Sequence, residues 1–290
     1  MGAYDEVVLL DNLSTQRYPV LFQLRRDVPF RFHQHDILTA DLDHHFTGAD
    51  VVIHLAAITD AESSVTNRDQ VELTNFKGTE RVARACAAAG AKMVFLSTTS
   101  VYGISHGEVD EDCPRELLRP QSPYAETKLK AEVLLREMGL REELRSVTFR
   151  FGTIFGVSTG MRFHTAVNKF VWQACTGQPL TVWTAALNQK RPYLDLSDAV
   201  AALQFAMKSD LFDGRIYNVV TANATVGDIV GIIRSHVPDL SVEYVDSRIM
   251  NQLSYTVSAR RIEGLGFRFK GSLEKGISDT IQLLGGVRRW

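Results

Sequence analysis

Tyr124 and Lys128 lie four residues apart in Ser122-Pro-Tyr-Ala-Glu-Thr-Lys128, a spacing that on a helix puts both side chains on one face, about one turn apart. A cation beside a phenol favours the phenolate and draws a pKa of about 10 towards neutrality, so the pair reads as a proton donor and acceptor near pH 7. Tyr-x-x-x-Lys pairs are common on helices, so the spacing alone leaves an ordinary surface pair as the alternative. Other reactive side chains give weaker signals. Asp41, Asp43, His44 and His45 crowd one helix start, but adjacent residues point different ways and do not converge on an ion, so no metal site is expected. The acidic run Glu108 to Asp112 reads as a solvated loop, and His54 as a satisfied core histidine.

The elements that must hold Tyr124 and Lys128 are legible around them. Ser122 followed by Pro123 opens a helix with proline at its first position, and Ala125 to Glu137 is rich in Ala, Leu, Lys and Glu. Val71 to Ala89 is a second helix, with Val71, Phe76, Val82 and Ala85 at helical rhythm and Gly90 as its stop. Between and around them run short, almost wholly apolar or β-branched segments: Glu6 to Leu10, Phe30 to Phe32, Asp50 to Leu55, Lys92 to Ser97 and Ser146 to Phe149. That is the pattern of parallel strands buried on both faces, in a doubly wound α/β fold. After Phe151 the character changes. Gly152, Gly156 and Gly160 break up a loop, His164 to Thr176 is helical, Val182 to Pro192 is irregular, Ser197 to Lys208 is helical, Gly214 to Val220 a strand and Val226 to Val237 a helix.

Composition narrows the classes. The chain has 290 residues, 45% of them hydrophobic, which suits one large domain or two intimately joined ones. Its 32 basic and 34 acidic residues are interspersed, with a net charge of -2, so there is no footprint for nucleic acid or an anionic membrane. Cys86, Cys113 and Cys175 stand far apart without a Cys-x-x-Cys pair, which excludes a disulfide framework and fits a reducing, cytoplasmic setting. No apolar run approaches the roughly 20 residues that span a bilayer, and the opening has no secretory pattern.

Taken together, Phe95-Leu-Ser-Thr-Thr-Ser-Val-Tyr-Gly103 and the Tyr124 to Lys128 stretch resemble the active-site segments of the NAD-dependent epimerase/dehydratase family, the extended short-chain dehydrogenases. The resemblance runs in order through nearly all of the chain. It implies a mostly parallel Rossmann-type sheet, with residues 1–150 an NAD-binding domain and residues 151–290 mainly a substrate-binding cap that returns some elements to the sheet. It further implies that Tyr124 and Lys128 are catalytic with Thr98, whose hydroxyl would donate to a sugar oxygen; the alternative is that Thr98 merely ends a buried strand. Asp50-Val-Val-Ile-His-Leu-Ala-Ala57 is similar to the strand that passes close to the cofactor at Leu55, Ala56 and Ala57, and Asn75-Phe-Lys-Gly-Thr79 to the helix whose Asn sits near the nicotinamide ribose. Asp36 and Ile37 match the pair facing adenine. Asp11, with Asn12, matches the acidic ribose ligand that favours NAD over NADP, although an ordinary turn would look the same. Gln189-Lys-Arg191-Pro-Tyr-Leu-Asp-Leu-Ser-Asp198 resembles the segment whose Arg grips a nucleotide-sugar diphosphate.

Departures sharpen the expectation. The family opens with Gly-x-x-Gly-x-x-Gly, whose amides hold the pyrophosphate at a helix N-terminus, about 20 residues before the acidic ribose ligand. Asp11 has only ten residues before it. The expectation is therefore a sheet with its first strand missing, because the chain starts internally or is a variant. Thr153 stands where the family usually has an Asn for the nucleotide sugar. Thr99-Ser100 replaces the Asp-Glu of 4,6-dehydratases, which argues against dehydration. Arg162 and His164 stand in place of the usual proline-rich stretch; they either meet an anionic substrate or cap the next helix and face solvent. Arg248 and Asn251 lie where the family's Arg-x-x-Asp contacts would be, without a clean copy of them.

The function this implies is an NAD-dependent sugar-nucleotide 4-epimerase of the UDP-glucose type, acting as a homodimer through the helices at Val71 to Ala89 and Tyr124 to Glu137. The alternatives are a ketoreductase and a non-catalytic binding protein.

Overall fold

The computed structural model describes residues 4–61, 63–103, 107–246 and 254–286. Its first half alternates strand and helix: β1 (Val7–Asp11), β2 (Phe30–Gln34), α1 (Leu42–Phe46), β3 (Val51–His54), α2 (Arg68–Val71), a π-helical turn (Glu72–Lys77), α3 (Gly78–Ala89), β4 (Lys92–Thr98), β5 (Glu108–Val109), α4 (Pro123–Leu140) and β6 (Ser146–Phe151). All the strand pairings among β1, β2, β3, β4 and β6 are parallel, with β1 on β2 and, separately, β3 on β4 on β6. Among the described residues no strand joins β1 to β3, so the sheet stands in two pieces.

β4 and β6 are buried along both faces, which explains their mostly apolar and hydroxyl side chains, with Lys92 at the start of β4 and Arg150 within β6 as the charged exceptions. The two faces carry different cores, as the two-residue period of a strand requires. Met93 and Phe95 pack with Val82, Cys86, Ala131 and Leu135 under α3 and α4. Val94 faces the other way, with Val147, Phe149, Tyr217 and Ile262. α3 ends as its sequence demands: Gly90 takes φ +69°, and the Ala91 amide donates back to the Cys86 carbonyl at 2.9 Å.

The second half contributes β7 (Thr153–Phe155), α5 (Ala166–Cys175), β8 (Leu180–Trp183), β9 (Lys190–Asp195), α6 (Leu196–Lys208), β10 (Ile216–Val219), β11 (Ala222–Thr225), α7 (Val226–His236), β12 (Val242–Val245), β13 (Thr256–Val257), α8 (Arg260–Gly264) and α9 (Leu273–Leu284). β10 adds to β6 in parallel and extends the main sheet, while α6 and α8 cover its outer face. A separate core of Phe155, Phe170, Val171, Leu180, Tyr193, Ile229, Ile233 and Ile277 gathers α5, α7 and α9 around β7, β8, β9 and β11.

The sequence reading of Val182 to Pro192 as irregular is corrected. The two ends of this stretch belong to β8 and β9, and only residues 184–189, with a 3₁₀ turn at Thr184–Ala186, lie between strands, because β8 pairs with β12 and β9 with β7 and β11. Those partners are distant in sequence, so the local pattern carries no trace of them. The helix expected from His164 begins only at Ala166, after Thr165 in extended conformation. No helix of the described residues is long and apolar enough to cross a membrane.

The strand-to-helix passage after β4 is fixed by one glycine. Gly103 has φ +63° and ψ -135°, and an added Cβ would lie 1.6 Å from the Arg119 carbonyl oxygen, across a parallel bridge between the two residues. Gly103→Ala is expected to destabilise the protein by about 3 kcal/mol, from backbone strain and the clash together. Urea unfolding monitored by far-ultraviolet circular dichroism measures this; a loss below about 1 kcal/mol would show that the Arg119 segment yields.

Candidate active site

α4 begins by capping itself. The Ser122 hydroxyl accepts from the Ala125 amide at 3.3 Å and Pro123 fills the first position, so Tyr124 sits in the first turn. Its half-buried ring lies near Thr98 at the end of β4, whose hydroxyl draws the phenol's pKa down against its burial. Thr98 does close the strand, accepting from the Ser100 amide at 3.1 Å and donating to the Ser100 hydroxyl at 3.2 Å. Lys128, one turn on and buried, donates from Nζ to the Leu96 carbonyl at 2.7 Å and lies 4.7 Å from the centre of the Phe95 ring.

The expected effect of Lys128 on the phenol is not what this geometry gives. Burial pushes Tyr124 up to about 12, opposed first by the Thr98 hydroxyl and then by the charge of Arg162. The ammonium is turned to the Leu96 carbonyl, and burial pulls it down to about 8, opposed by the carboxylate of Glu132. At neutral pH both groups carry their protons.

Behind Lys128 lies a buried polar cluster. Both oxygens of Glu132 receive Arg150, from Nε at 2.9 Å and Nη2 at 2.7 Å, and Glu132 also accepts from the Ser97 hydroxyl. The pair is 3% and 2% exposed, and the guanidinium lies 4.8 Å from the centre of the Tyr102 ring, whose hydroxyl donates to Asn218 at 2.9 Å. Glu132 follows Lys128 by four residues, so its place on the same helix face is open to sequence reading, although nothing in its type marks it out there.

The chain leaving β3 forms the site's other wall. Leu55 is exposed and Ala56 and Ala57 half-buried, a shallow run of small side chains. Ile58 is clamped at both backbone atoms by Asn75, which accepts from its amide at 2.8 Å and donates to its carbonyl at 2.9 Å. Asn75 occupies the π-helical turn between α2 and α3, a feature that concentrates at functional sites. Below it the Thr79 hydroxyl donates to the Asn75 carbonyl and meets His54 Nε2 at 2.9 Å. Burial pushes His54 down to about 3, so the ring is a neutral core histidine.

Farther along the same edge, at the ends of β1 and β2, Asn12 donates to Asp36 at 3.0 Å, Asp36 accepts from the Leu38 amide at 2.8 Å, and Asp11 accepts from the Leu13 amide at 2.6 Å. Asp11 is exposed and Ile37 buried beneath it. Thr153 lies half-buried on β7 beside Tyr193 of β9. Arg191, also half-buried, sits on β9 with Tyr193 and Tyr255 acting on it, and burial lowers its pKa. Arg248 and Asn251 lie outside the described residues.

Two residues without a sequence signal complete the site, and with them Arg162 finds its place. Arg162 bends inward and donates to the hydroxyl of Thr59, just past the β3 exit. Arg17 donates to the Gly160 carbonyl at 2.6 Å and pins the loop that carries Arg162. His164 is exposed. Arg17 and Thr59 are invisible in the sequence because each depends on contacts over more than a hundred residues.

Asn75, Thr98, Tyr124 and Lys128 thus converge at the carboxyl ends of β3 and β4, while Asp11, Asn12, Asp36 and Ile37 gather at those of β1 and β2. That row is where open α/β sheets bind dinucleotides. The residues present fit NAD there on one further observation. Among the described residues, the buried Lys128 ammonium has three N–H donors and one hydrogen bond, to Leu96. No group of three or more His, Cys, Asp or Glu among the described residues is placed to hold a metal ion.

Known proteins resemble this chain in sequence and fold. The model of the NAD-dependent epimerase/dehydratase family matches residues 2–219. A trifunctional UDP-glucose 4,6-dehydratase/UDP-4-keto-6-deoxy-D-glucose 3,5-epimerase/UDP-4-keto-L-rhamnose-reductase of Arabidopsis thaliana is 28% identical over 95% of this chain and 42% of its own length. The chain spans about two fifths of that protein and of two similar ones from the same plant. An uncharacterized UDP-glucose epimerase of Bacillus subtilis is 29% identical over 89% of this chain and 81% of its own. The UDP-glucose 4-epimerase of Thermus thermophilus, solved with NAD, superposes with a TM-score of 0.81 at 25% identity, covering 97% of this chain and 91% of that one.

The depressed Lys128 has a consequence for stability. Between its folded value of about 8 and its ordinary unfolded value, the unfolded chain binds the proton that the folded chain has lost. Stability from this group therefore rises with pH. Between pH 8 and about 9.5, the unfolding free energy of the wild type should gain about 1.5 kcal/mol relative to Lys128→Met. Urea titrations of both proteins at the two pH values provide the measurement; a constant difference would mean that Lys128 stays charged throughout.

Proposed function

Since this chain belongs to the NAD-dependent epimerase/dehydratase family, we propose that it is a sugar-nucleotide 4-epimerase with NAD as its cofactor. The observation that carries the proposal is the placing of the Tyr124 phenol near the Thr98 hydroxyl at the end of β4, with the buried ammonium of Lys128 one turn behind. A sugar 4-oxygen lying between the two hydroxyls would receive the Thr98 proton as a hydrogen bond and exchange its own proton with Tyr124. Held along the carboxyl edge, NAD would supply a hydride acceptor for C4 and, in its oxidised form, positive charge. Lys128 would hold ribose hydroxyls with its remaining donors, Asn75 would fix the β3 exit loop against that ribose, and Asp11 would take the adenosine ribose hydroxyls. Asn12, Asp36 and Ile37 would border the adenine, and Leu55, Ala56 and Ala57 would let the dinucleotide lie close to the backbone.

Tyr124, once it has given up its own proton, would take that of the 4-hydroxyl as hydride leaves C4 for the cofactor. It would return that proton as the hydride comes back to C4 on the other face of the 4-keto sugar. Because burial holds the phenol near 12, abstraction depends on nearby positive charge, and Arg162 is already in place to supply part of it. Arg191 would grip the diphosphate, and Thr153 would face the nucleotide sugar. Positions 99 and 100 are Thr and Ser. The Thr99 hydroxyl is spent on the Phe151 carbonyl at 3.3 Å, so neither side chain offers the acid that elimination of water needs.

The assembly belongs to the same proposal. Ion pairs Lys130–Glu72 and Arg68–Glu126 fasten α2 and the π-helical turn to α4, so that the helices present one face, with Leu73 46% exposed on it. Two such faces would pack as a four-helix interface. The three free cysteines suit a cytoplasmic setting.

Tyr124→Phe should lower turnover of UDP-glucose to UDP-galactose by about a thousandfold or more, with an unchanged melting temperature, because only the exchangeable proton is lost. Turnover near the wild-type rate in that folded variant would overturn the mechanism, and stoichiometric consumption of reduced cofactor with a 4-keto sugar nucleotide, releasing the oxidised form, would make the enzyme a ketoreductase. Static light scattering at micromolar concentration should give twice the 32.4 kDa chain mass. A monomer there would refute the interface.

A further inference from the structure

Two guanidinium groups meet at the sugar end of the site. Arg162 comes from the loop before α5, Arg17 from the loop after β1, and the charge of Arg17 acts on Arg162. Their neighbours from the β3 exit loop are Thr59 and Asp60, and from α4 the phenol of Tyr124; the exposed His164 lies on the same loop as Arg162. Asp60 offsets one of the two cations, which leaves the group net positive. Arg162 Nη1 is committed to the Thr59 hydroxyl, whereas its Nε is buried and has no hydrogen-bond partner among the described residues. A buried donor left unmade is costly, and so is a pair of like charges drawn partly out of water.

The fork of Arg162 is set on Thr59, and its charge acts on Tyr124, so a partner for the unpaired Nε would sit towards the phenol. If Tyr124 touches the 4-oxygen, as the proposed function holds, the groups beside it on the ring are the 3-hydroxyl and the substituent on C5. Only the latter is commonly an anion, the carboxylate of a uronic acid. A planar carboxylate accepts two parallel bonds from the edge of a guanidinium fork, and the Nε side of Arg162 is the edge whose donor is without a hydrogen bond among the described residues.

We infer that Arg162 reads a carboxylate on C5 of the sugar, so that the preferred substrates are nucleotide-linked uronates rather than neutral hexoses. This rests on the 4-epimerase reading of Tyr124 and extends it to the substrate class. Arg17 holds the loop that carries Arg162, and Thr59 fixes the roll of its fork. Both are positioning residues.

The test compares UDP-glucuronate, UDP-glucose and UDP alone with the wild type, Arg162→Met and Arg162→Lys, by calorimetric titration and by epimerisation kinetics. The wild type should favour UDP-glucuronate over UDP-glucose by about tenfold or more, in both affinity and kcat/KM. Arg162→Met should erase that ratio, and Arg162→Lys, which keeps the charge but loses the fork, should retain part of it. UDP alone should bind all three proteins within about threefold. A ratio unchanged in Arg162→Met would overturn the inference. So would a loss of UDP affinity as large as the loss for UDP-glucuronate, since Arg162 would then be holding the diphosphate. If Tyr124→Phe remains active the 4-epimerase reading falls by itself, and the calorimetric ratios still decide whether Arg162 recognises a carboxylate.

Discussion

A bidentate ion pair, Arg150 with Glu132, is sealed between α4 and the main sheet, and the position of the proton-handling residues follows from it. Two charges at this depth are expensive to desolvate, and good geometry only recovers that cost. What the pair secures is register. Glu132 is tied to β6 through Arg150 and to β4 through Ser97, so the helix neither slides nor turns on the sheet. Lys128 lies one turn before Glu132 and Tyr124 one turn before that, so fixing Glu132 fixes both. The carboxylate also favours the charged form of Lys128 against its burial. One helix face thus holds a phenol, an ammonium and a carboxylate in a row, each set by the next.

The opposite wall is held by hydrogen bonds to backbone instead of by charge. Asn75 spends its amide on Ile58 alone among backbone partners, on donor and acceptor together, which does for a loop what a neighbouring strand does for a strand. The exit of β3 is therefore rigid at one residue and lined by small side chains just before it. Thr59, the next residue, is then in position to receive Arg162 from the other half of the chain. The reading surface for a substrate is assembled across the two halves, through contacts between loops that rigid elements hold still.

How much of this was legible depended on distance along the chain. Tyr124, Lys128 and their capped helix were readable because a turn of helix is a local object and Ser122-Pro123 is a local signal. β4 and β6 were legible because burial on both faces leaves largely apolar runs, whereas β1 and β2 show similar runs although several of their positions are exposed. β8 and β9 were missed because their partners lie elsewhere in sequence, and no residue in 182–192 announces them. The sign of the Tyr124 shift was misjudged for a related reason. Spacing says that two side chains share a face, but it does not say that the ammonium will turn to the Leu96 carbonyl, or that both groups will be dry. Arg162 was left open between solvent and substrate, and the contact that draws it inward comes from Thr59, 103 residues away.

The π-helical turn that carries Asn75 is one residue longer than a regular helix would make it. A chain with that residue deleted could close into an unbroken α-helix from Arg68 to Ala89 with better backbone geometry. Every side chain before the deletion would then rotate by about 100° relative to those after it. Asn75 would no longer face Ile58 while Thr79 still faced His54. The helix is thus kept in a less comfortable form by a requirement of aim, and natural drift towards the smoother helix would be drift towards a sturdier protein with a misaligned site.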